Sequence, residues 1–324
     1  MDTLKLKTID LHVGGEPCRV VIDGMPPIEG ATMREKQNYI AEHYDFICSS
    51  LMCEPRGHKN MFGAILMPPC NKEADYGVVF MYGTGFEDMC GHGTICLCTM
   101  LVERGMVDIS EPETVIKLDT VAGVVDITVD VKDGEVESVN IANVPSFVYK
   151  RDLHVKTPNY GEVSVDMIYS GNPFIMVDAE TVGEICPENA DAFIKAAYEI
   201  RDVVIEESPL IHPELGLLPY ANVEFCKGEK NVVMFGEGQI DRSGCGTGTG
   251  AWIVMKYDSG EVEMAKPYIH RGILGTELTG MVTREIRAGD ITAYDTVIAG
   301  KGTIISESTF FVGDYDPLYK GFIL

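Results

Sequence analysis

Apolar and polar residues alternate along most of the chain with a period near two, and only a few segments shift to the period of a helix. Residues 5–13 and 18–23 read as strands joined by the turn Gly14-Gly15-Glu16-Pro17. Residues 34–49 read as one amphipathic helix, with Tyr39, Ile40, Tyr44 and Ile47 near helical spacing. The short apolar runs 62–67 and 76–81 read as strands, and residues 94–104 as a helix stopped by Gly105. Alternation over 114–148 around Asp133-Gly134 predicts a hairpin. The second half repeats that order. Residues 163–177 are strand-like with a break at Gly171-Asn172-Pro173, 188–203 are helical, and 231–235 form a strand. A helix begins near Gly250 and ends near Ser259-Gly260, and strands dominate from there, over 276–286 and 302–311. Each half is therefore strands, a helix, strands, a turn with a helix, and strands, which is an α+β pattern with internal duplication and not regular βαβ alternation.

The turn before the second helix of each half carries a cysteine. The first is Met89-Cys90-Gly91-His92-Gly93-Thr94 and the second Asp241-Arg242-Ser243-Gly244-Cys245-Gly246-Thr247-Gly248-Thr249-Gly250. A thiol at a helix start lies near unpaired N–H groups and the positive dipole end, both of which favour the thiolate. One reading makes Cys90 and Cys245 acid and base on opposite faces of a bound α-amino acid. Amides at Gly91, His92, Gly246 and Thr247 would hold the substrate carboxylate, and Asp241 would pair with its amine. A second reading is phosphate or dinucleotide binding by the glycines after Cys245. It lacks a strand running directly into them and a Gly-Lys-Ser/Thr sequence. A third gives glycines that only turn the chain and cysteines that only pack. Two turns in matched contexts favour the first.

Composition narrows the picture. The 324 residues fit two domains, and 45% apolar with 23% charged residues is the balance of a globular protein. A net charge of −24 excludes nucleic acid and anionic membrane as partners, because both need a basic footprint. The N-terminal residues show no signal-peptide pattern and no run approaches the length of a membrane span, so the expected location is cytoplasmic. Ten cysteines without a CxxC spacing fit a reducing compartment and give no metal or thioredoxin motif. Cys96 and Cys98, on the helix behind Cys90, read as packing residues. A disulfide switch built from Cys90 and Cys245 is the rival of another class.

With these motifs in view, the sequence resembles the proline racemase family, which includes hydroxyproline epimerases and trans-3-hydroxyproline dehydratases. The resemblance runs nearly end to end. It takes in Ile9-Asp10, His12, Gly14 to Pro17, Glu54-Pro55-Arg56-Gly57-His58, Met61-Phe62-Gly63, both cysteine turns, Asp316-Pro317-Leu318 and Gly321-Phe322-Ile323-Leu324. It implies a diaminopimelate epimerase-like fold of two pseudo-symmetric domains, each a barrel-like sheet around a central helix, with the active site in the cleft between them. The expected boundaries are 1–140, joined by a return strand at about 308–324, and 141–307.

The resemblance also implies catalysis by Cys90 and Cys245 without a cofactor or metal. It places carboxylate-binding amides at Gly91, His92, Gly246 and Thr247, and puts Asp241 and His92 near the ring nitrogen. Both cysteines are present, which separates the chain from the dehydratase branch. Phe62, Phe80 and Phe235 align with aromatic pocket positions that suit an unsubstituted pyrrolidine. The expected substrate is therefore proline, with 4-hydroxyproline as the alternative and a homodimer as the expected assembly. Leu11 and Val13 replace the usual Ser and Thr. Asp88 adds a negative charge near the first thiol that opposes thiolate formation. Gly244 stands where proline is common and would loosen the second turn.

Overall fold

The computed structural model describes residues 3–83, 85–213, 215–236 and 238–323. It divides into two compact units, one formed by Met1–Ile141 with Lys301–Leu324 and the other by Ala142–Gly300. In the first unit β1 (Leu4–Val13) and β2 (Glu16–Asp23) form a hairpin. Helices α1 (Met33–His43) and α2 (Asp45–Met52) then cross to β3 (Phe62–Met67), which lies parallel to β2. Strand β4 (Tyr76–Tyr82) returns antiparallel to β3, and the short β5 (Gly85–Glu87) folds back on it. Helix α3 (Gly91–Glu103) crosses to β6 (Glu113–Thr120), parallel to β4, and β7 (Gly123–Lys132) and β8 (Glu135–Ala142) complete a meander. The chain's last strand, β20 (Thr303–Val312), pairs with β1. It begins earlier than the return strand expected at 308–324.

The second unit opens with β9 (Phe147–Thr157), β10 (Gly161–Tyr169) and β11 (Pro173–Asp178). Helix α4 (Ala190–Glu207) and the small hairpin β12 (Leu210–His212) and β13 (Gly216–Leu218) lead to β14 (Asn222–Lys227), parallel to β11. After β15 (Lys230–Phe235) and the short β16 (Gln239–Asp241), α5 (Gly246–Asp258) crosses to β17 (Tyr268–Arg271), parallel to β15. Strands β18 (Glu277–Ala288) and β19 (Ile291–Gly300) finish the unit. Ser146 and Tyr294 exchange backbone hydrogen bonds, joining the segment before β9 to β19 and closing the sheet towards a barrel.

The duplication is visible in the pairing itself. The first unit runs β20-β1-β2-β3-β4-β6-β7-β8 and the second β9-β10-β11-β14-β15-β17-β18-β19. In both, the third and fourth strands and the fifth and sixth are parallel, and every other neighbouring pair is antiparallel. A parallel pair needs a crossover. The first crossover is filled by α1 and α2 in one unit and by α4 in the other. The second holds a cysteine turn with its helix in both.

Those second helices are the centres of their units. Residues 93–102 of α3 and 248–254 of α5 are all buried, as expected of a helix that is apolar or small on every side. Close packing explains a glycine within α5. A Cβ on Gly250 would lie 2.3 Å from Ser170 Oγ and 2.7 Å from Asn143 Nδ2, so no larger residue fits without displacing both. The single helix expected over 34–49 is two helices. Tyr44, at φ −132° and ψ 17°, ends α1 with its N–H on Ile40 O and starts α2 as its N-cap.

One buried ion pair ties the first unit together. Arg19 on β2 donates through Nε to Asp10 Oδ1 at 2.9 Å and through Nη2 to Asp10 Oδ2 at 2.8 Å. Its Nη1 donates to the carbonyls of Leu51 and Arg56, both at 2.7 Å. The guanidinium also lies 4.3 Å from the centre of the Phe310 ring on β20. Asp10, part of the N-terminal motif, is thus occupied in structure. Arg56 pairs with Asp316, holding the C-terminal segment of the same unit.

Candidate active site

Cys90 and Cys245 are each the N-cap of a buried helix, α3 and α5 respectively, at the same place in the repeated topology. Both are nearly buried, at 9% and 8% exposure. The amides of Gly91 and His92, and of Gly246 and Thr247, belong to first helical turns, where backbone N–H groups have no partner within the helix. Both turns therefore present first-turn amides that their own helix leaves unpaired.

The two thiols have unlike surroundings. Cys90 Sγ lies 3.2 Å from His92 Nδ1, and the Phe62 ring meets the His92 ring edge-on at 4.6 Å. Phe80 is fully buried and packs behind Gly93 and Phe62. Phe235 is half-buried at the end of β15, opposite Gln239. Asp88 does not leave an open charge by the first turn: Arg34 grips it with both terminal nitrogens.

Cys245 is held from several sides. Asp241 Oδ1 accepts from the Ser243 N–H at 2.8 Å and from its hydroxyl at 2.7 Å, and Ser243 Oγ accepts from the Cys245 N–H at 3.0 Å. The Gly248 N–H donates to Cys245 Sγ at 3.4 Å. Cys245 sits at φ +56°, in the left-handed region that non-glycine residues avoid and that functional positions often retain. Gly244 does not loosen the turn, because its carbonyl accepts from Asn231 Nδ2 at 2.9 Å and from Thr249 Oγ1 at 3.1 Å. Burial pushes the Cys245 thiol well above its usual range, with Asp241 and Glu224 adding to the rise against the Gly248 N–H and Thr247. The helix terminus alone favoured a thiolate. In this form burial outweighs it, and Cys245 is a protonated thiol.

Beneath the second turn lies a polar group that the sequence did not disclose. Glu224 on β14 is fully buried, with Oε1 accepting from Asn231 Nδ2 at 2.9 Å and from the Cys226 thiol at 3.6 Å. His270 on β17, also fully buried, stacks on Trp252 at 4.3 Å and lies 3.1 Å from Thr249 Oγ1 through Nδ1. Its Nε2 is 3.6 Å from Glu224 Oε1. The donor atoms of Glu224, Cys226 and His270 lie within 4.8 Å of one another. Glu224 Oε1 and His270 Nδ1 are already engaged by protein groups, and the cluster is a hydrogen-bonded one. The only trace of it in the sequence is a lone Glu in the apolar run Val223-Glu224-Phe225.

Burial pushes Glu224 up to about 8 and His270 down to about 3. A carboxyl whose folded pKa is raised binds its proton more tightly in the native state, so its contribution to stability falls as pH rises from 4.5 to about 8. Glu224→Gln removes that dependence. Its unfolding free energy relative to wild type should rise through this window, by at most about 1.4 kcal/mol per pH unit, and then level off. Urea unfolding at a series of pH values measures it, and a flat difference would mean that Glu224 is ionised throughout.

Two buried helices, each presenting a thiol from the same crossover of a repeated sheet, define the class: an α+β enzyme fold with one cysteine turn in each half. The proline racemase family model matches residues 8–323. A proline racemase from Clostridioides difficile is 37% identical over 328 residues, covering 98% of each chain. A 4-hydroxyproline 2-epimerase from Streptosporangium roseum is 36% identical over 324 residues, covering 98% of this chain and 97% of the relative. Among solved structures, a hydroxyproline epimerase from Agrobacterium vitis with bound trans-4-hydroxy-L-proline superposes with a TM-score of 0.84 at 28% identity, covering 99% and 96% of the two chains. The chain belongs to the proline racemase family and is an amino-acid racemase or epimerase. Among the described residues no helix is long and apolar enough to cross a membrane.

Proposed function

We propose that the chain racemises proline, with Cys90 and Cys245 removing and returning the α-proton. The observation that carries this reading is the asymmetry of the thiols. Cys90 lies 3.2 Å from a ring nitrogen of His92, whereas burial pushes the Cys245 thiol well above its usual range. A two-base racemase needs one thiolate and one thiol at the start of each turnover, and the reverse arrangement after it. First-turn amides at Gly91, His92, Gly246 and Thr247 hold the carboxylate and stabilise charge as it moves onto it. Asp241, oriented by Ser243, receives the substrate ammonium.

Proline is favoured over hydroxyproline by the apolar surroundings of the first turn, where Phe62 and Phe80 pack beside and behind Cys90 and His92. A ring hydroxyl there would lose its water and gain no partner. The epimerase relatives make trans-4-hydroxy-L-proline the second substrate to test. The reduced protein, incubated in D₂O with each compound, should abolish the optical rotation of L-proline while placing deuterium at its α-carbon. Turnover of hydroxyproline alone would overturn the substrate and keep the chemistry. No exchange with either would overturn both.

A further inference from the structure

We propose that Glu224 is a positioning residue for Cys245: a neutral carboxylic acid packed under the cysteine turn, which braces that turn while protonated and disfavours the Cys245 thiolate once ionised. The inference builds on Cys245 as an acid–base thiol and adds a residue that touches no substrate.

The geometry comes from three contacts. Asn231 Nδ2 donates both to Glu224 Oε1 and to Gly244 O, each at 2.9 Å, so the carboxyl is linked through one amide to the peptide that precedes Cys245. Gly248 separates the two groups. A Cβ on it would lie 2.8 Å from Glu224 Oε2 and 3.2 Å from Cys245 Sγ, so carboxyl and thiol approach each other across the bare side of that glycine. Glu224 Oε2 is buried and has no hydrogen-bond partner.

The charge state follows from what surrounds it. From β14 itself Glu224 meets Cys226, from β15 Asn231, from β16 the acidic Asp241, from β17 the neutral His270, and from α5 Cys245. No lysine or arginine is among them. A carboxylate here would be a buried charge with one oxygen uncompensated and a second acid nearby, which strongly disfavours ionisation. With Glu224 protonated, the floor of the turn carries no charge. When the proton leaves for solvent, a negative charge appears behind the thiol, and the thiolate form of Cys245 becomes harder to reach.

The test reads the thiol directly and does not depend on racemisation. Full-length wild type and Glu224→Gln are alkylated with iodoacetamide across a pH series, and labelling of the Cys245 and Cys90 peptides is followed separately by mass spectrometry. Gln keeps the oxygen that Asn231 needs and cannot ionise. The Cys245 labelling midpoint should fall by about one to two pH units, with that of Cys90 unmoved. An unmoved Cys245 midpoint, or an equal shift at both cysteines, overturns the proposal. If racemisation is also measured, the alkaline fall of kcat, where Cys245 loses the proton it must deliver, moves to lower pH in the variant. Loss of all activity in wild type would sink the proline reading and leave the thiol titration interpretable. Should Glu224→Gln fail to fold, an otherwise wild-type protein carrying Glu87→Gln decides the matter, since among the described residues Glu87 is the other carboxyl pushed up, to about 7. Its infrared spectrum should show a protonated carboxylic acid near neutral pH that vanishes as the pH passes about 8. Absence of that band overturns the proposal equally.

Discussion

Cys245→Ala ends racemisation and leaves the protein folded. A positioned acid or base contributes about 10²–10⁴-fold, and a reaction that needs both thiols in each direction loses at least that much when one is removed. Little structure is lost with the sulfur, whose one strong local contact is the Gly248 N–H at 3.4 Å. Alanine retains the strain of φ +56°, whereas Cys245→Gly should be more stable than Cys245→Ala by about 1 kcal/mol, because glycine takes that conformation freely. Cys90→Ala should be equally inactive. The two variants should differ in one respect: each exchanges the α-proton of only the enantiomer that its remaining thiol can reach. Polarimetry combined with α-deuterium analysis separates these outcomes. Racemisation that survives either substitution would dismiss the two-thiol mechanism. A disulfide switch predicts instead that oxidation removes two titratable thiols.

Arg19→Met destabilises the first unit by about 3–5 kcal/mol, the usual consequence of taking one partner from a buried pair. The substitution leaves Asp10 buried without its bidentate partner and strips donors from the carbonyls of Leu51 and Arg56. Strands β1 and β2, the end of α2 and the ring of Phe310 all meet at this guanidinium. The double variant Asp10→Asn with Arg19→Met should recover part of the loss, since no uncompensated charge remains. Urea midpoints of the three proteins give the comparison, and an equal loss in single and double variants would place the effect in packing instead of charge.

The cysteine turns were legible because each is a local feature: a thiol, small residues and an apolar helix within about a dozen positions. Hairpins such as β7 and β8 around Asp133-Gly134 were legible for the same reason. The break at Tyr44 was not, because Tyr39, Ile40, Tyr44 and Ile47 keep a helical period across it. The sequence pattern puts the start of α5 near Gly250, four residues late, because three glycines lower helix propensity, whereas the buried packing of its first turns lets it begin at Gly246. Glu224 and His270 stayed hidden for a different reason. They lie on β14 and β17, separated by two strands, the cysteine turn and a helix, and only the parallel pairing of β15 with β17 brings their strands close. The charge that mattered at Asp88 was likewise cancelled by a residue far away in sequence, Arg34.

The repeated sheets differ in how they are supplied by the chain. The second is continuous, but the first takes its opening strand, β20, from the far end, where it completes the edge of β1. During synthesis at about 5–20 residues per second, roughly ten to thirty seconds separate the appearance of residue 141 from that of β20. Throughout that interval β1 offers an unpaired edge to the cell, the kind of surface that recruits other strands. The second half, complete in itself, can fold while the first waits. The order of birth along the ribosome is therefore the reverse of the order of completion, and a nascent chain stalled before β20 would carry one finished half and one open to chaperones.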